Sequence, residues 1–181
     1  DVFDHRLDLA GARGGPGGAR LTAQRFSAPW STRLSAITAV GTAALLGSAY
    51  GLVDNGLWVG GLALIALWLA CLAGHVRGYS VEGQRLRIDR LAYGHVIDLS
   101  TLQSATVAPG LFRGALRVGN GGLFSFSGWF WSRSHGWFRA VATDSRDRCV
   151  LLTFESGRWA VSPDDPRGFV DTVRRAAGLD E

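Results

Sequence analysis

The chain has 181 residues, a formal net charge of +4 and a mean hydropathy of +0.12, and all 19 of its Lys-or-Arg side chains are Arg. With no Lys present, Schiff-base chemistry, a Walker-type phosphate lysine and Ser-Lys dyads are excluded. Cys71 and Cys149 stand far apart with no CxxC or zinc-like spacing, so neither a disulfide framework nor a metal site is expected.

Residues 1–33 read as a flexible N-terminal arm. The stretch Gly11 to Gly18 is too rich in glycine for regular structure. From Leu21 to Arg33, the apolar Leu21, Phe26 and Trp30 interleave with Arg20, Arg25 and Arg33, which suits either a segment along a membrane surface or an ordinary polar lead-in. No signal-peptide core occurs in this arm.

Residues 34–76 form two apolar runs, Leu34 to Val53 and Leu57 to Val76, separated by Asp54-Asn55-Gly56 and free of Lys, Arg, Asp and Glu. As helices, each is roughly 30 Å long, about the hydrocarbon thickness of a bilayer. The expectation is a transmembrane helical hairpin. Arg13, Arg20, Arg25 and Arg33 precede it, Arg77, Arg85, Arg87 and Arg90 follow it, and the connecting loop has no cation. The positive-inside rule then places both termini in the cytoplasm, with Trp30 and Tyr79 at the inner interface and Tyr50 and Trp58 at the outer one. Ala39, Ala43, Gly47 and Gly51 recur every four residues, as do Ala66, Ala70 and Gly74. Such a small-residue stripe is expected to serve the hairpin's own seam, the alternative being the docking of another membrane protein. His75, at the end of the second run, is read as a hydrated interfacial residue rather than an axial ligand.

From residue 77 onward the period becomes alternating. Tyr79 to Val81 and Gln84 to Arg90 read as a hairpin, and His95 to Leu99 and Leu102 to Val107 as further strands. Leu116 to Thr143 reads as a long aromatic hairpin with a polar tip, and Cys149 to Phe154 with Arg158 to Ser162 as another. Asp165 as N-cap, Pro166 in the first turn and Gly178 at the stop bound a final amphipathic helix with Phe169, Val173, Ala176 and Ala177 on one face.

His5, His75, His95 and His135 lack metal-ligand spacing, Ser125 and Ser127 do not sit in a GxSxG elbow, and Gly119 to Gly122 precedes a strand rather than the helix that phosphate cradling requires. No cofactor and no enzymatic activity are expected.

The order of about seven strands and one capped helix, together with Val118-Gly119-Asn120-Gly121-Gly122-Leu123-Phe124, Gly128, Ala142-Thr143-Asp144 and Ser162-Pro163-Asp164-Asp165-Pro166 with Phe169, resembles the bacterial pleckstrin-homology-like (PH-like) membrane proteins. The resemblance covers roughly Arg33 to Gly178 and implies a membrane-anchored α+β chain: a hairpin in the bacterial inner membrane followed, over residues 77–181, by a PH-like β-barrel with a C-terminal capping helix. The basic string by which eukaryotic PH domains hold phosphoinositides is approximated by Arg77, Arg85 and Arg87, without its lysine.

The leading expectation is a non-enzymatic accessory or scaffold subunit that docks on an integral membrane protein complex, a respiratory or photosynthetic assembly being one setting. Its partner surface would be Trp129, Trp131, Arg133 and Trp137. The alternative is a sensor of anionic membrane lipid using Arg77, Arg85 and Arg87. Arginines beside aromatics also suit single-stranded nucleic acid, but no RNP signature accompanies them, and nucleic acid is not an expected partner.

Overall fold

The computed structural model describes residues 23–179. The expected arm over residues 1–33 lies outside these up to residue 22, and so does His5. Its described part is ordered: Gln24–Ser27 forms strand β1. Phe26 points into a core while Arg25 and Ser27 face outward, so the arginine-flanked aromatic belongs to a sheet.

Helices α1 (Thr32–Asp54) and α2 (Trp58–Ala73) follow. The Ser31 hydroxyl caps α1 by accepting the Leu34 amide, and Gly56, at φ 79°, makes the turn. The helices are antiparallel: the Trp68 indole donates to the Thr42 hydroxyl at 3.1 Å, and Gly61 lies against Ala49 and Val53 near the tip. A Cβ on Gly61 would come within 2.5 Å of Val53 Cγ2, so that glycine sets the approach. The second helix is shorter than the apolar run: it ends at Ala73 because Gly74 caps it and Val76 already begins a strand.

Strands β2 (Val76–Glu82), β3 (Arg85–Arg90) and β4 (Gly94–Asp98) complete an antiparallel four-stranded sheet in the order β1-β2-β3-β4. The second sheet has six strands: β5 (Leu102–Val107), β6 (Leu116–Gly121), β7 (Phe126–Ser132), β8 (Gly136–Ala142), β9 (Val150–Phe154) and β10 (Gly157–Val161), in the order β5-β9-β10-β8-β7-β6. Its β8 and β10 run parallel and its other neighbours antiparallel. Helix α3 (Pro166–Ala177) follows, with the caps expected for it: Asp165 accepts the Gly168 amide, and Gly178 sits at φ 72°.

The architecture is therefore a β-sandwich-like pair of open sheets with a C-terminal helix, not a closed barrel of about seven strands. The sheets stay separate because the chain leaves the first sheet after β4, makes the tight Leu99–Leu102 turn and pairs β5 with β9. Among the described residues, no ladder joins β4 or β1 to the second sheet.

Each face of the larger sheet has its own core. On one face, Val141, Val150, Leu152 and Val161 pack against Tyr79, Leu86 and Ile88 of the first sheet and Phe169 and Val173 of α3. Tyr79, expected at a membrane interface, is instead in this core because it lies on the inward face of β2. Its hydroxyl donates to the Val141 carbonyl at 2.7 Å and accepts the Ser162 amide at 3.1 Å, tying the sheets together. On the opposite face, Phe126, Phe130 and Phe138 pack with Phe112 and with Leu34, a fully buried residue from the first turn of α1. The helical hairpin is thus rooted in the domain's second core.

Candidate functional site

Three features occupy the surfaces around and beyond the hairpin base. The first is a joint. The β6–β7 loop is held in shape by Asn120, whose Oδ1 accepts the Gly122 and Leu123 amides and whose Nδ2 donates to the Leu123 carbonyl. This presents Phe124, the one non-glycine residue with positive φ (65°) among the described residues, to the helices. The Thr38 hydroxyl of α1 accepts the Phe124 amide and donates to the Gly122 carbonyl, His75 Nδ1 lies 3.2 Å from the Phe124 carbonyl oxygen, and Trp30 and Trp68 pack edge-on to the Phe124 ring. The hairpin and the sheets are consequently joined at several points rather than by a swivelling linker.

The second is a groove of about 710 Å³ beside that base, lined by Arg25 of β1, Arg77 of β2 and Arg87 and Arg90 of β3, with Asp89 and Asp164 among them. Register brings the cations together: Arg25 and Arg87 both stand opposite Ser80, and Arg90 opposite Val76. Arg87 is partly neutralised by Asp89 at 2.7 Å, and Arg90 packs over Tyr93. The Asp164 carboxyl is pushed up by burial, but the Ser27 hydroxyl and nearby amides outweigh this and hold it below the usual carboxylate range.

The third is an uncovered sheet face. The first sheet and α3 cover the larger sheet only as far as β8. Beyond it, cross-strand register aligns Val118, Trp129 and Arg139 in one row and Leu116, Trp131 and Trp137 in the next, on the face that carries Val141. Leu116 is 65% exposed, Val118 61%, Trp129 51% and Trp137 55%, whereas Trp131 is half-buried. At the border with the covered half, Trp159 stacks with His95 and also packs against the Arg139 guanidinium.

A family model of the bacterial PH domain matches residues 77–177, from β2 to the end of α3. The chain belongs to the bacterial PH domain family. No curated protein and no solved structure matches it. In this PH domain, β1 and the helical hairpin precede the matched segment, yet β1 completes its first sheet.

The structure sorts the residues expected to matter. Arg77 and Arg87 share the groove, while Arg85 stands between Glu82 and Asp98 in the ladders and does not line it. Arg25 and Arg90 complete the groove but were not anticipated; the alternation of Gln24-Arg25-Phe26-Ser27 is too short to have marked the former. Trp129 and Trp137 lie on the exposed face, and Arg133 is exposed in the β7–β8 turn.

The small-residue stripe is not the hairpin seam. Ala39, Ala43, Gly47, Ala66 and Ala70 are exposed, and Gly47 and Gly51 have nothing within reach of an added Cβ; Gly74 is half-buried near Arg90. The seam runs instead through Thr42, Ala49, Leu52 and Val53 against Gly60, Gly61 and Trp68. Small residues do make the close approach there, but they are Ala49, Gly60 and Gly61 and not the four-residue stripe.

Proposed function

We propose that this PH domain protein is a non-enzymatic interaction module of the bacterial inner membrane, an accessory or scaffold subunit that docks on a larger integral membrane protein complex. In this reading α1 and α2 cross the bilayer as a two-pass hairpin with both chain ends in the cytoplasm. Helix α1 is long and apolar enough to cross a membrane; α2, with 16 residues, is about 24 Å long and would cross with its flanking residues. The hairpin exposes Val40, Tyr50, Trp58, Val59 and Leu62, which water disfavours and lipid accepts. Possible chemistry-bearing groups have structural duties: Ser125 is bonded to Ser127, His75 faces the Phe124 carbonyl, and Asp165 caps α3.

The observation that carries the docking role is the uncovered face with Leu116, Val118, Trp129 and Trp137, an apolar patch of the kind that marks interaction sites. The exposed ridge of Ala39, Ala43 and Gly47 supplies a close-packing surface within the bilayer. Purification in a mild detergent should recover a stoichiometric membrane protein partner, and Trp129→Glu with Trp137→Glu should release it while the chain stays in the membrane fraction. A partner-free chain from native membranes, or a partner indifferent to both substitutions, overturns the reading.

A second reading, binding of anionic lipid, is favoured by the groove of Arg25, Arg77, Arg87 and Arg90 beside the hairpin base. Retention of anionic lipid should fall in Arg77→Gln and Arg87→Gln variants and should weaken with salt. Salt-insensitive or unchanged retention counts against it.

A further inference from the structure

A separate cluster surrounds the N-terminus of α1. A cavity of about 610 Å³ is lined by Arg33 from the first turn of α1, Arg113 from the turn after β5, and Arg146, Asp147 and Ser145 from the β8–β9 loop. A neighbouring hollow of about 460 Å³ shares Arg33, Arg146 and Asp147 and adds Arg148. Arg148 is paired with Asp144 at 3.1 Å, whereas Arg33, Arg113 and Arg146 make no ion pair among the described residues. Three guanidinium groups therefore face one further carboxylate, that of Asp147. The first turn of the 23-residue α1 has no acidic residue, so the positive end of its dipole adds to the same field.

An independent observation shows what is missing. Ser145 is 6% exposed, lines the cavity, and its Oγ has no hydrogen-bond partner. Buried hydroxyls are ordinarily satisfied, so this one lacks an acceptor. Guanidinium forks and a hydroxyl donor lining one cavity beside a helix N-terminus supply the donors that the oxygens of a tetrahedral anion accept.

We propose that Arg33, Arg113, Arg146 and Ser145 form a phosphate-binding site, separate from the β1–β3 groove, that takes the phosphate of an anionic lipid headgroup or of a soluble phosphate compound. The lipid source rests on the bilayer placement proposed above; the site itself does not. Arginine forks hold the anion, the Ser145 hydroxyl gains its acceptor, and the Asp147 carboxylate offsets only part of the positive charge of the three guanidinium groups.

The test uses the full chain in a phosphate-free maltoside detergent, with Arg77→Gln and Arg87→Gln installed to weaken the other groove. Calorimetric titration with inorganic phosphate should show binding that weakens about tenfold with Arg113→Gln or Arg146→Gln. Ser145→Ala should weaken it less, and Arg146→Lys should keep part of it. In parallel, native mass spectrometry compares phosphatidic acid with diacylglycerol, which lacks the phosphate. Retention of phosphatidic acid alone, lost in the Arg113 and Arg146 variants, identifies a headgroup source; phosphate binding without lipid retention identifies a soluble one. Absence of both, or binding of either that ignores the arginine substitutions, overturns the site. Circular dichroism of the variants separates lost binding from lost folding. Partner capture is read independently, so failure here leaves the docking reading standing.

Discussion

The Thr38 hydroxyl accepts the Phe124 backbone amide at 3.0 Å, joining the second turn of α1 to a loop 86 residues further along the chain. The same hydroxyl donates to the Gly122 carbonyl at 3.1 Å, so one side chain satisfies two buried backbone groups. Thr38→Ala leaves both without this partner, at a cost of about 2 kcal/mol. Amide exchange at residues 122–125 should accelerate while the rest of the sandwich keeps its protection. Thr38→Ser should restore slow exchange; equal protection in the alanine variant refutes the joint.

Gly119 and Gly128 face each other across β6 and β7 at φ 143° and 133°. A Cβ on Gly128 would lie 2.7 Å from the Val118 carbonyl oxygen. Gly128→Ala thus combines a disfavoured backbone conformation with a clash and should cost about 2–4 kcal/mol in denaturant unfolding. A loss below about 0.5 kcal/mol would show that the two strands can separate freely there.

Tyr79 is pushed up to about 12, chiefly by burial, with the Ser162 hydrogen bonds pulling the other way. Its phenolate absorbance should therefore stay absent while the protein is folded at moderately alkaline pH and emerge only near that value or on unfolding. Tyr79→Phe removes the tie to Val141 and leaves the Ser162 amide short of a partner, lowering stability by about 1–3 kcal/mol in a thermal melt.

His95 is held below its ordinary value of 6.5, first by partial burial against Trp159 and then by the charges of Arg139 and Arg90. The folded state therefore binds fewer protons than the unfolded chain in the window just below 6.5. The contribution from His95 is complete above that value and is lost as pH falls through the folded-state pKa. Melting temperatures measured across mildly acidic pH should fall more gently in His95→Gln; identical slopes would remove His95 as the cause.

The final helix was legible because its signals are local: an Asp165-Pro166 start, a Gly178 stop and an apolar face at helical spacing. Strands β3, β5 and β7 to β10 also followed from alternation and turn residues. Strand β1 did not, since four residues carry little periodicity and β2 lies beyond the whole helical hairpin. Two open sheets could not be told from a barrel, because the β5–β9 and β8–β10 pairings depend on contacts distant in sequence. The four-residue spacing of small side chains was misleading in the helices: the seam selected Thr42, Ala49 and Val53, whose shapes interlock with Gly61 and Trp68. The arginine groove was half visible, because Arg77 and Arg87 are near neighbours in sequence whereas Arg25 arrives from the far side of the hairpin.

The position of that hairpin has an architectural consequence. Ser27 and Gly78 are ladder partners, so everything between them occupies the place where an antiparallel pair of strands would ordinarily have a tight turn. Topologically, the apolar helices are an oversized β-turn. Any force drawing them away from the sheets pulls on two strands at once, and replacing them with an Asn-Gly connection, with the vacancy left by Leu34 refilled, describes how the same sandwich could be recast as a free-standing module.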